Sequence, residues 1–317
     1  MRRPPLCKLL ITLCCCFIAI YLYILTTKEN DNNFKDSVIP KRLRATSVKS
    51  PGRIVMSFVV CDSRFNESLN VIKSVLMFTK TPVHFVIFTD DKLRSLFKDT
   101  LGKWKSLVGD QLDFELQGIH FPEAHKEDWM NLFSKCAAQR LFIPISAMAA
   151  EDDNPNVSWY PRFAKHPFYG KYGLNSGVML MNLTRMRSFG WVEYVTPVML
   201  KWKLYIPWGD QDIINIIFHY HERAVRVLSC RYNYRSDQCT YGDACADATR
   251  RGVYVLHGSR GIFHNDKQPA FQAIYRAISE YDIGMDSSEV TKNMHKYLNE
   301  APESNCGHVF DTLKHNF

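Results

Sequence analysis

The chain has 317 residues, of which 46% are hydrophobic and 23% charged, and this composition excludes a disordered or collagen-like protein. Its length suggests one large domain or two small ones. The net charge of +8 first suggests a nucleic-acid-binding protein, but residues 1–50 carry +6 of it and the rest of the chain only +2. A basic nucleic-acid-binding domain would show the opposite distribution, so no nucleic-acid partner is expected.

An uncharged stretch at residues 9–25 predicts a membrane anchor near the start of the chain. As a helix it is roughly 26 Å long at 1.5 Å per residue, which is short but sufficient for a thin membrane. Arg2, Arg3 and Lys8 precede it, so the positive-inside rule leaves residues 1–8 in the cytosol and the body in the lumen. No small-residue cleavage site follows, which argues against a cleaved signal peptide. Polar residues 26–50 are predicted to form a flexible stem.

The body of the chain, from residue 51, alternates apolar β-branched runs with segments of helical periodicity. Strands are predicted at residues 54–61, 83–88, 112–119, 177–182 and 253–257, and helices at residues 66–79, 92–108, 132–142 and 210–220. This alternation predicts an α/β fold with a mostly parallel sheet covered by helices on both faces. Residues 284–317 show no interpretable pattern and are predicted to be a C-terminal tail. The absence of a G-x-G-x-x-G motif and of a P-loop argues against a dinucleotide oxidoreductase and an ATPase.

Six cysteines lie in the body, and an even number in an oxidising compartment suggests disulfides. They are Cys61, Cys136, Cys230, Cys239, Cys245 and Cys306. The spacing of the middle three matches no standard zinc pattern. The sequence alone leaves their pairing open.

A few polar residues are candidates for a ligand site. Ligands of parallel α/β sheets bind beyond the carboxyl ends of the strands, which places residues 61–64, Asn182 and His257 near one rim. A histidine such as His257 can bind a metal, and a lysine such as Lys267 can neutralise a phosphate. The structural alternatives are a hydrogen-bonded core histidine and a surface lysine. Asp210 begins a predicted helix, where its alternative role is that of a cap.

Several short motifs follow one another in the body in a specific order. They are Val59-Val60-Cys61, CAAQRLF at 136–142, WYPRFAKHP at 159–167, NSGVMLMN at 175–182, WGDQD at 208–212, and LHGSRG at 256–261 with DKQP at 266–269. In this order the motifs resemble those of the glucoside xylosyltransferases of glycosyltransferase family 8. Each motif is weak alone, and their common order over roughly residues 53–280 carries the resemblance. The anchor and stem also resemble the family's type II membrane layout, with residues 51–283 as the catalytic domain.

The resemblance implies a GT-A fold and a retaining transfer of xylose, in the Golgi or endoplasmic reticulum, from UDP-xylose to O-linked glucose on EGF-like repeats. It also implies Mn²⁺, or Mg²⁺, on the donor diphosphate. The residues that it assigns to the site are Asp210 and Gln211 as catalytic residues, Val60, Cys61, Arg140, Asn175, Gly258 and Lys267 as donor-binding residues, and His257 as a metal ligand. The aromatic run at 159–172 is a candidate acceptor platform, with a loop that packs its own aromatic side chains as the alternative.

One motif of the family has no counterpart in this chain. The resemblance implies an Asp-x-Asp pair that holds the metal, at the end of a central strand after residues 136–142. Here residues 141–144 run directly into residues 145–150, which resemble the strand after it, so one central strand and its helix are missing. The literal Asp-x-Asp at 210–212 belongs to another motif, and the acidic run at 151–153 aligns better with a loop. We therefore expect this chain to bind metal and UDP-sugar poorly.

The missing segment leaves alternatives open. The chain is an active xylosyltransferase, or a catalytically impaired or inactive lumenal member of the family, or a family 8 transferase with another donor. The residues alone do not select the donor, because xylose and glucose differ only by a hydroxymethyl group.

Overall fold

The computed structural model describes residues 52–132, 135–142, 147–150 and 158–314 of the chain. The predicted cytosolic tail, anchor and stem lie outside these residues, as does the acidic run at 151–153. Within the described residues, no helix has the length and apolar character needed to cross a bilayer. The described residues are therefore those of the predicted body.

The first part of the body repeats a strand and a helix. It comprises β1 (Ile54–Val60), α1 (Phe65–Phe78), β2 (Val83–Thr89), α2 (Asp91–Val108) and β3 (Leu112–Gln117). The strands form a parallel sheet in the order β1-β2-β3, with Ile54 beside Val83 and Val83 beside Leu112. The elements predicted for this part of the chain are confirmed, with small shifts at their ends.

The pattern of β2 and α2 explains why this sheet forms. Every second side chain of β2 is fully buried, as expected for a middle strand with a neighbour on each side. The buried residues of α2, Leu93, Phe97 and Leu101, recur every four positions and so form one apolar stripe. The helix begins at Asp90, whose carboxylate accepts a hydrogen bond from the Leu93 backbone N–H at 3.2 Å.

A cluster of charges ties the start of β1 to β3. The carboxylate of Asp113 accepts bonds from Lys105 Nζ at 2.7 Å and Arg53 Nη1 at 2.9 Å, and it lies 2.9 Å from His84 Nδ1. Hydrogen bonds from Lys105 and His84 lower the pKa of Asp113 to about 2. The folded state therefore favours the ionised carboxylate.

Replacing Asp113 by asparagine is expected to lower the free energy of unfolding at pH 7 by about 1 kcal/mol, because the cluster is partly exposed and screened by water. A carboxyl whose folded-state pKa is lowered contributes stability above its unfolded-state pKa of about 3.9, and loses it as the pH falls toward 2. Urea unfolding from pH 7 to pH 2 measures this difference, which should vanish at the acid end. The exposed Asp99→Asn is the control, and an equal loss in both variants would contradict the prediction.

The second part of the body carries a second sheet. Its elements are α3 (Lys126–Asn131), α4 (Lys135–Gln139), β4 (Ala147–Ala150), α5 (Tyr160–Phe163), β5 (Leu174–Leu180), α6 (Leu183–Phe189), α7 (Trp191–Trp202), α8 (Asp210–Tyr220) and β6 (Arg226–Leu228). β4 pairs antiparallel with β5 and parallel with β6, in the order β5-β4-β6. No strand of the described part pairs with members of both sheets.

The α/β class is confirmed, and the described strands pair mostly in parallel, with β4 and β5 as the antiparallel exception. The described strands form two sheets rather than one. Alternation of apolar runs predicts strands, whereas the direction of each strand depends on the connections between them. The helix at 210–220 is confirmed as α8. The helix predicted at 132–142 is instead the short helix α4 followed by a 3₁₀ turn at Arg140–Phe142. The strand predicted at 177–182 begins earlier, and Asn182 caps α6 by accepting a bond from the Arg185 N–H at 3.0 Å.

The last part of the body is helical. It comprises α9 (Asp237–Thr240), α10 (Ala246–Arg251), α11 (Pro269–Ser279), α12 (Ser288–Glu300) and α13 (Asn305–Lys314). The strand predicted at 253–257 is wrong, because only Leu256 forms a bridge there, with Tyr234. The description of 284–317 as a tail is also wrong, because α12 buries Val290, Met294 and Leu298 and packs on α11. The buried residues of α12 lie among charged residues, so the helical hydrophobic pattern is weak in the sequence.

The six cysteines of the body form three disulfides, as their even number suggested. They join Cys61 to Cys136, Cys230 to Cys245, and Cys239 to Cys306, with Cα–Cα distances of 6.2, 6.0 and 4.9 Å. The last of these fastens α13 to α9, and the second excludes a zinc site at the middle three cysteines. Each pair is distant in sequence, which is why the sequence left the pairing open.

Candidate active site

A buried ion pair lies at the centre of the candidate site. Asp210, at the start of α8, is 1% exposed, and its carboxylate lies 3.0 Å from Nη2 of Arg140. Nη1 of Arg140 donates to the Ser176 carbonyl of β5 at 3.4 Å. Arg140 remains 32% exposed, so its guanidinium is accessible to a ligand. The structure thus brings together predicted residues that are 70 positions apart in sequence.

Asp210 does not have the capping role that the sequence suggested as its alternative. The residue that precedes α8 is Gly209, with φ +55°, and no side chain caps the helix there. Burial raises the pKa of Asp210, and the positive charge of Arg140 opposes this effect. A buried carboxylate is costly unless it is paired, and Arg140 supplies the opposite charge that favours the ionised form of Asp210.

The amide of Gln211 is held from two sides. Its Oε1 accepts a bond from the Ser176 backbone N–H at 3.1 Å, and its Nε2 donates to the Tyr160 hydroxyl at 3.3 Å. Tyr160 is 1% exposed. The second predicted catalytic residue therefore has a defined orientation beside the first.

A buried polar network, which the sequence did not predict, supports Gln211 from behind. The Tyr160 hydroxyl donates to Asp212 Oδ1 at 2.8 Å and accepts from Asn215 Nδ2 at 3.0 Å. Asp212 also accepts a bond from the Trp208 backbone N–H at 2.7 Å. Asn215 donates to the Leu174 carbonyl and accepts from the Leu174 N–H, which ties α8 to β5. The one signal in the sequence is Asn215 itself, a polar residue within the apolar run IINIIF.

Asn175 and His257 both lie beside Gly177 of β5. The Asn175 side-chain oxygen accepts bonds from the Gly177 N–H at 2.8 Å and from Asn233 Nδ2 at 2.7 Å. The His257 ring lies against the Cα of Gly177, where a Cβ would be 2.2 Å from the ring. Only glycine permits this approach of the ring to the strand.

Replacing Gly177 by alanine is expected to destabilise the protein by about 2 kcal/mol and to displace the His257 ring, because the added methyl overlaps it. Gly102, in α2, is the matched control, since a Cβ there meets no atom within 4 Å. Gly102→Ala is expected to stabilise by about 0.5 kcal/mol, the usual gain of alanine over glycine within a helix. Thermal unfolding and the His257 ring signals in NMR measure both effects. Unchanged His257 signals in Gly177→Ala would refute the clash.

The remaining predicted donor-binding residues are Val60, Cys61, Gly258 and Lys267. Val60 and Cys61 are buried at the end of β1, and the Cys61 disulfide joins them to α4, four residues before Arg140. Gly258 is close to the ring of Phe263, where a Cβ would be 2.0 Å from the ring. Lys267 is exposed, and no hydrogen bond or ion pair of the described residues connects its amine to Asp210.

The aromatic run at 159–172 packs mostly on itself. Trp159 contacts Tyr160 with ring centroids 5.2 Å apart, and Phe168 contacts Tyr160 at 5.4 Å. Phe163 is 56% exposed beside the guanidinium of Arg162. Self-packing therefore accounts for most of the run, and Phe163 is the side chain left accessible to an acceptor.

The described residues do not fit the metal centre that the resemblance implies. Nowhere in this part of the chain do three His, Cys, Asp or Glu side chains lie close enough to hold an ion. Asp210 is paired with Arg140, and Asp212 accepts bonds from Tyr160 and the Trp208 backbone. His257 is the single predicted ligand, and one imidazole does not make a site for a hard cation that prefers oxygen ligands.

Comparison with known proteins identifies the family. The chain is 39% identical to Glucoside xylosyltransferase 1 of Danio rerio, over 81% of this chain and 76% of that protein. It is 35% identical to Glucoside xylosyltransferase 1 of Homo sapiens, over 80% of this chain and 68% of that protein. It is 38% identical to Glucoside xylosyltransferase 2 of Mus musculus, over 72% of this chain and 62% of that protein. No protein-family model matches the chain. The chain belongs to the glucoside xylosyltransferase family of glycosyltransferases.

The same alignment shows that this chain is shorter than its relative within the matched region. The alignment with the Danio rerio protein runs over 308 residues, whereas 81% of this chain is about 257 residues. About 50 positions of the relative thus have no counterpart here. This total is large enough to include the strand and helix that the motif order leaves out.

Proposed function

We propose that this chain transfers xylose from UDP-xylose to O-linked glucose on EGF-like repeats, on a GT-A fold and with retention of the α configuration. Membership of the glucoside xylosyltransferase family supports the sugar and the acceptor. The observation that carries the proposal is the buried Arg140–Asp210 pair beside the oriented amide of Gln211. Both catalytic candidates of the family motif occupy one site.

The chain's own residues define what this site does. The Asp210 carboxylate, paired with Arg140, accepts hydrogen bonds from sugar hydroxyls, and charge-assisted bonds of this kind are strong. Gln211, fixed by Ser176 and Tyr160, holds its amide beside the reacting sugar without reorganisation. The part of the site that would receive the diphosphate is incomplete, because the Asp-x-Asp pair has no counterpart in this chain. We therefore propose that turnover by this chain is at least about 100-fold slower than by the Danio rerio relative.

A donor panel tests the proposal. The full chain in detergent and the Danio rerio relative are each incubated with a glucosylated EGF-like repeat, Mn²⁺, and UDP-xylose, UDP-glucose or UDP-galactose. Mass spectrometry of the repeat identifies the sugar added, and NMR of the product gives the anomeric configuration. The expected result is slow addition of α-linked xylose, which Asp210→Asn abolishes.

Each alternative predicts a different result in this assay. Preferred use of UDP-glucose or UDP-galactose would assign another donor. A transfer rate equal to that of the Danio rerio relative would refute the proposal that the diphosphate-binding part of the site is incomplete. No transfer by a folded chain, even at high enzyme concentration, would identify a non-catalytic member of the family.

We also propose a type II topology in the Golgi or endoplasmic reticulum membrane, with the catalytic body in the lumen. The basic residues before the apolar stretch and the three disulfides support this arrangement. Protease protection of the body in intact microsomes tests it, and digestion without detergent would contradict it.

A further inference from the structure

Asn182 begins a short motif of the kind that N-linked glycosylation requires. The residues Asn182-Leu183-Thr184 form an asparagine–x–threonine motif, and the middle residue is not proline. Because a glycan is bulky and hydrophilic, a glycosylated asparagine has to lie at the surface of the folded protein. Asn182 and Thr184 are both exposed, although the motif closely follows the apolar strand β5. The fold therefore leaves room for a glycan at this position.

The side chain of Asn182 uses one of its two polar atoms in the fold. Its Oδ1 accepts the hydrogen bond from the Arg185 backbone N–H, at 3.0 Å, that caps α6. Among the described residues, no acceptor binds its Nδ2. Glycosylation modifies Nδ2 and leaves Oδ1 as a carbonyl oxygen. A glycan and the helix cap are therefore compatible on the same side chain.

Two further motifs of this kind are less informative or less suited to carry a glycan. The motif at 156–158 begins outside the described residues. The motif at 66–68 lies within α1, and its Ser68 is 8% exposed and donates a hydrogen bond to the Phe65 carbonyl at 2.6 Å. The Arg64 N–H donates to the carbonyl of Cys61, a predicted donor-binding residue, at 3.3 Å. A glycan on Asn66 would therefore lie close to the donor side of the candidate site.

Asn182 lies beyond the end of β5, whose first half contributes to the candidate site. Ser176, which orients Gln211, precedes Asn182 by six residues, or roughly 20 Å at about 3.3 Å per residue of extended chain. No contact within the described part of the chain joins the Asn182 side chain to Asp210 or Gln211. A glycan on Asn182 is therefore attached outside the candidate site.

We propose that Asn182 is an N-glycosylation site. Its Nδ2 attacks C1 of the first sugar of a lipid-diphosphate-linked oligosaccharide, and the new N–C1 bond replaces the bond from C1 to a diphosphate oxygen. The lipid diphosphate leaves with the electron pair of that bond, and Nδ2 loses one proton to a base of the transferring enzyme. The proposal rests on the lumenal placement of the body proposed above, because this modification occurs on the secretory route.

Mass spectrometry of the full chain, made in animal cells, tests the proposal. The chain carries a C-terminal tag with one asparagine–glycine–threonine motif, which reports lumenal placement independently of Asn182. An amidase that releases N-glycans converts each glycosylated asparagine to aspartate, so treatment in heavy-oxygen water marks the glycosylated positions. The expected result is that both Asn182 and the tag are marked.

Three variants separate the glycan from the helix cap. Asn182→Asp keeps an oxygen that caps α6 but has no amide to glycosylate, and Thr184→Ala keeps the capping asparagine but removes the motif. Each should lose one glycan and migrate faster on a denaturing gel than the unchanged chain. Thr184→Ser keeps the motif and should keep the glycan. Release of all glycans should make the four chains migrate alike.

Three results would overturn the proposal. A marked tag with an unmarked Asn182 would show that the body is lumenal and that Asn182 is a helix cap only. An unmarked tag with an unmarked Asn182 would contradict the lumenal placement itself, and the glycosylation site with it. Equal migration of the unchanged chain, Asn182→Asp and Thr184→Ala before glycan release would show that no glycan is attached at Asn182.

Discussion

Arg140→Ala is expected to lower the free energy of unfolding by about 3 kcal/mol at pH 7, because it leaves the Asp210 carboxylate buried and unpaired. Burial already raises the pKa of Asp210, and loss of Arg140 raises it further. A carboxyl with a raised folded-state pKa destabilises the fold as the pH rises above its unfolded-state pKa of about 3.9. The penalty of Arg140→Ala should therefore be small at pH 4 and grow toward pH 7.

Chemical denaturation at several pH values measures this penalty, and two variants control it. The double variant Arg140→Ala with Asp210→Asn removes both charges and should recover much of the lost stability. Arg64→Ala breaks the exposed pair with Glu67, whose arginine is 62% exposed, and should cost less than about 1 kcal/mol. A penalty for Arg140→Ala that does not vary with pH would show that Asp210 is not the group left unpaired.

Tyr160→Phe is expected to cost about 2 kcal/mol of stability and to release the amide of Gln211. The substitution removes the donor to the fully buried Asp212 and the acceptor for Asn215 and Gln211. Asp212 Oδ1 then keeps only His166 Nε2, at 3.3 Å, and the loss of a hydrogen bond to a buried carboxylate carries a penalty of this size. Urea unfolding measures the stability, and the side-chain amide signals of Gln211 and Asn215 in NMR report on the site.

Tyr241→Phe is the matched control for this prediction. Tyr241 is 72% exposed, and loss of its hydroxyl should change stability by less than about 0.5 kcal/mol. Unchanged amide signals of Gln211 in Tyr160→Phe would show that Ser176 alone orients the amide. Equal stability of the two variants would show that Asp212 does not depend on Tyr160.

Local patterns in the sequence predicted the elements whose signal is local. β1, β2 and α2 have strong periodicity or long β-branched runs, and the structure confirms them. The run at 253–257 has the same composition as a strand but lacks a neighbouring strand along its length, so it stays irregular. α12 has a narrow apolar stripe between charged residues, and its burial depends on contact with α11.

The residues of the site also fall into two groups, those that the motifs indicated and those whose role only the structure shows. Family motifs led to Asp210, Gln211, Arg140 and Asn175, and the structure brings these four residues together around β5 and α8. Tyr160, which fixes Gln211, lay in a motif that had been assigned to the acceptor. Its role depends on contacts over 50 positions of sequence, and no spacing rule predicts contacts of that range.

The sequence by itself indicated the family and the order of the strand–helix units, because motifs and periodicity are properties of consecutive residues. Only the tertiary structure decided the split into two sheets, the pairing of the six cysteines and the partner of Asp210. These features depend on which distant residues meet, and they meet where burial and hydrogen bonding of the whole body are satisfied together.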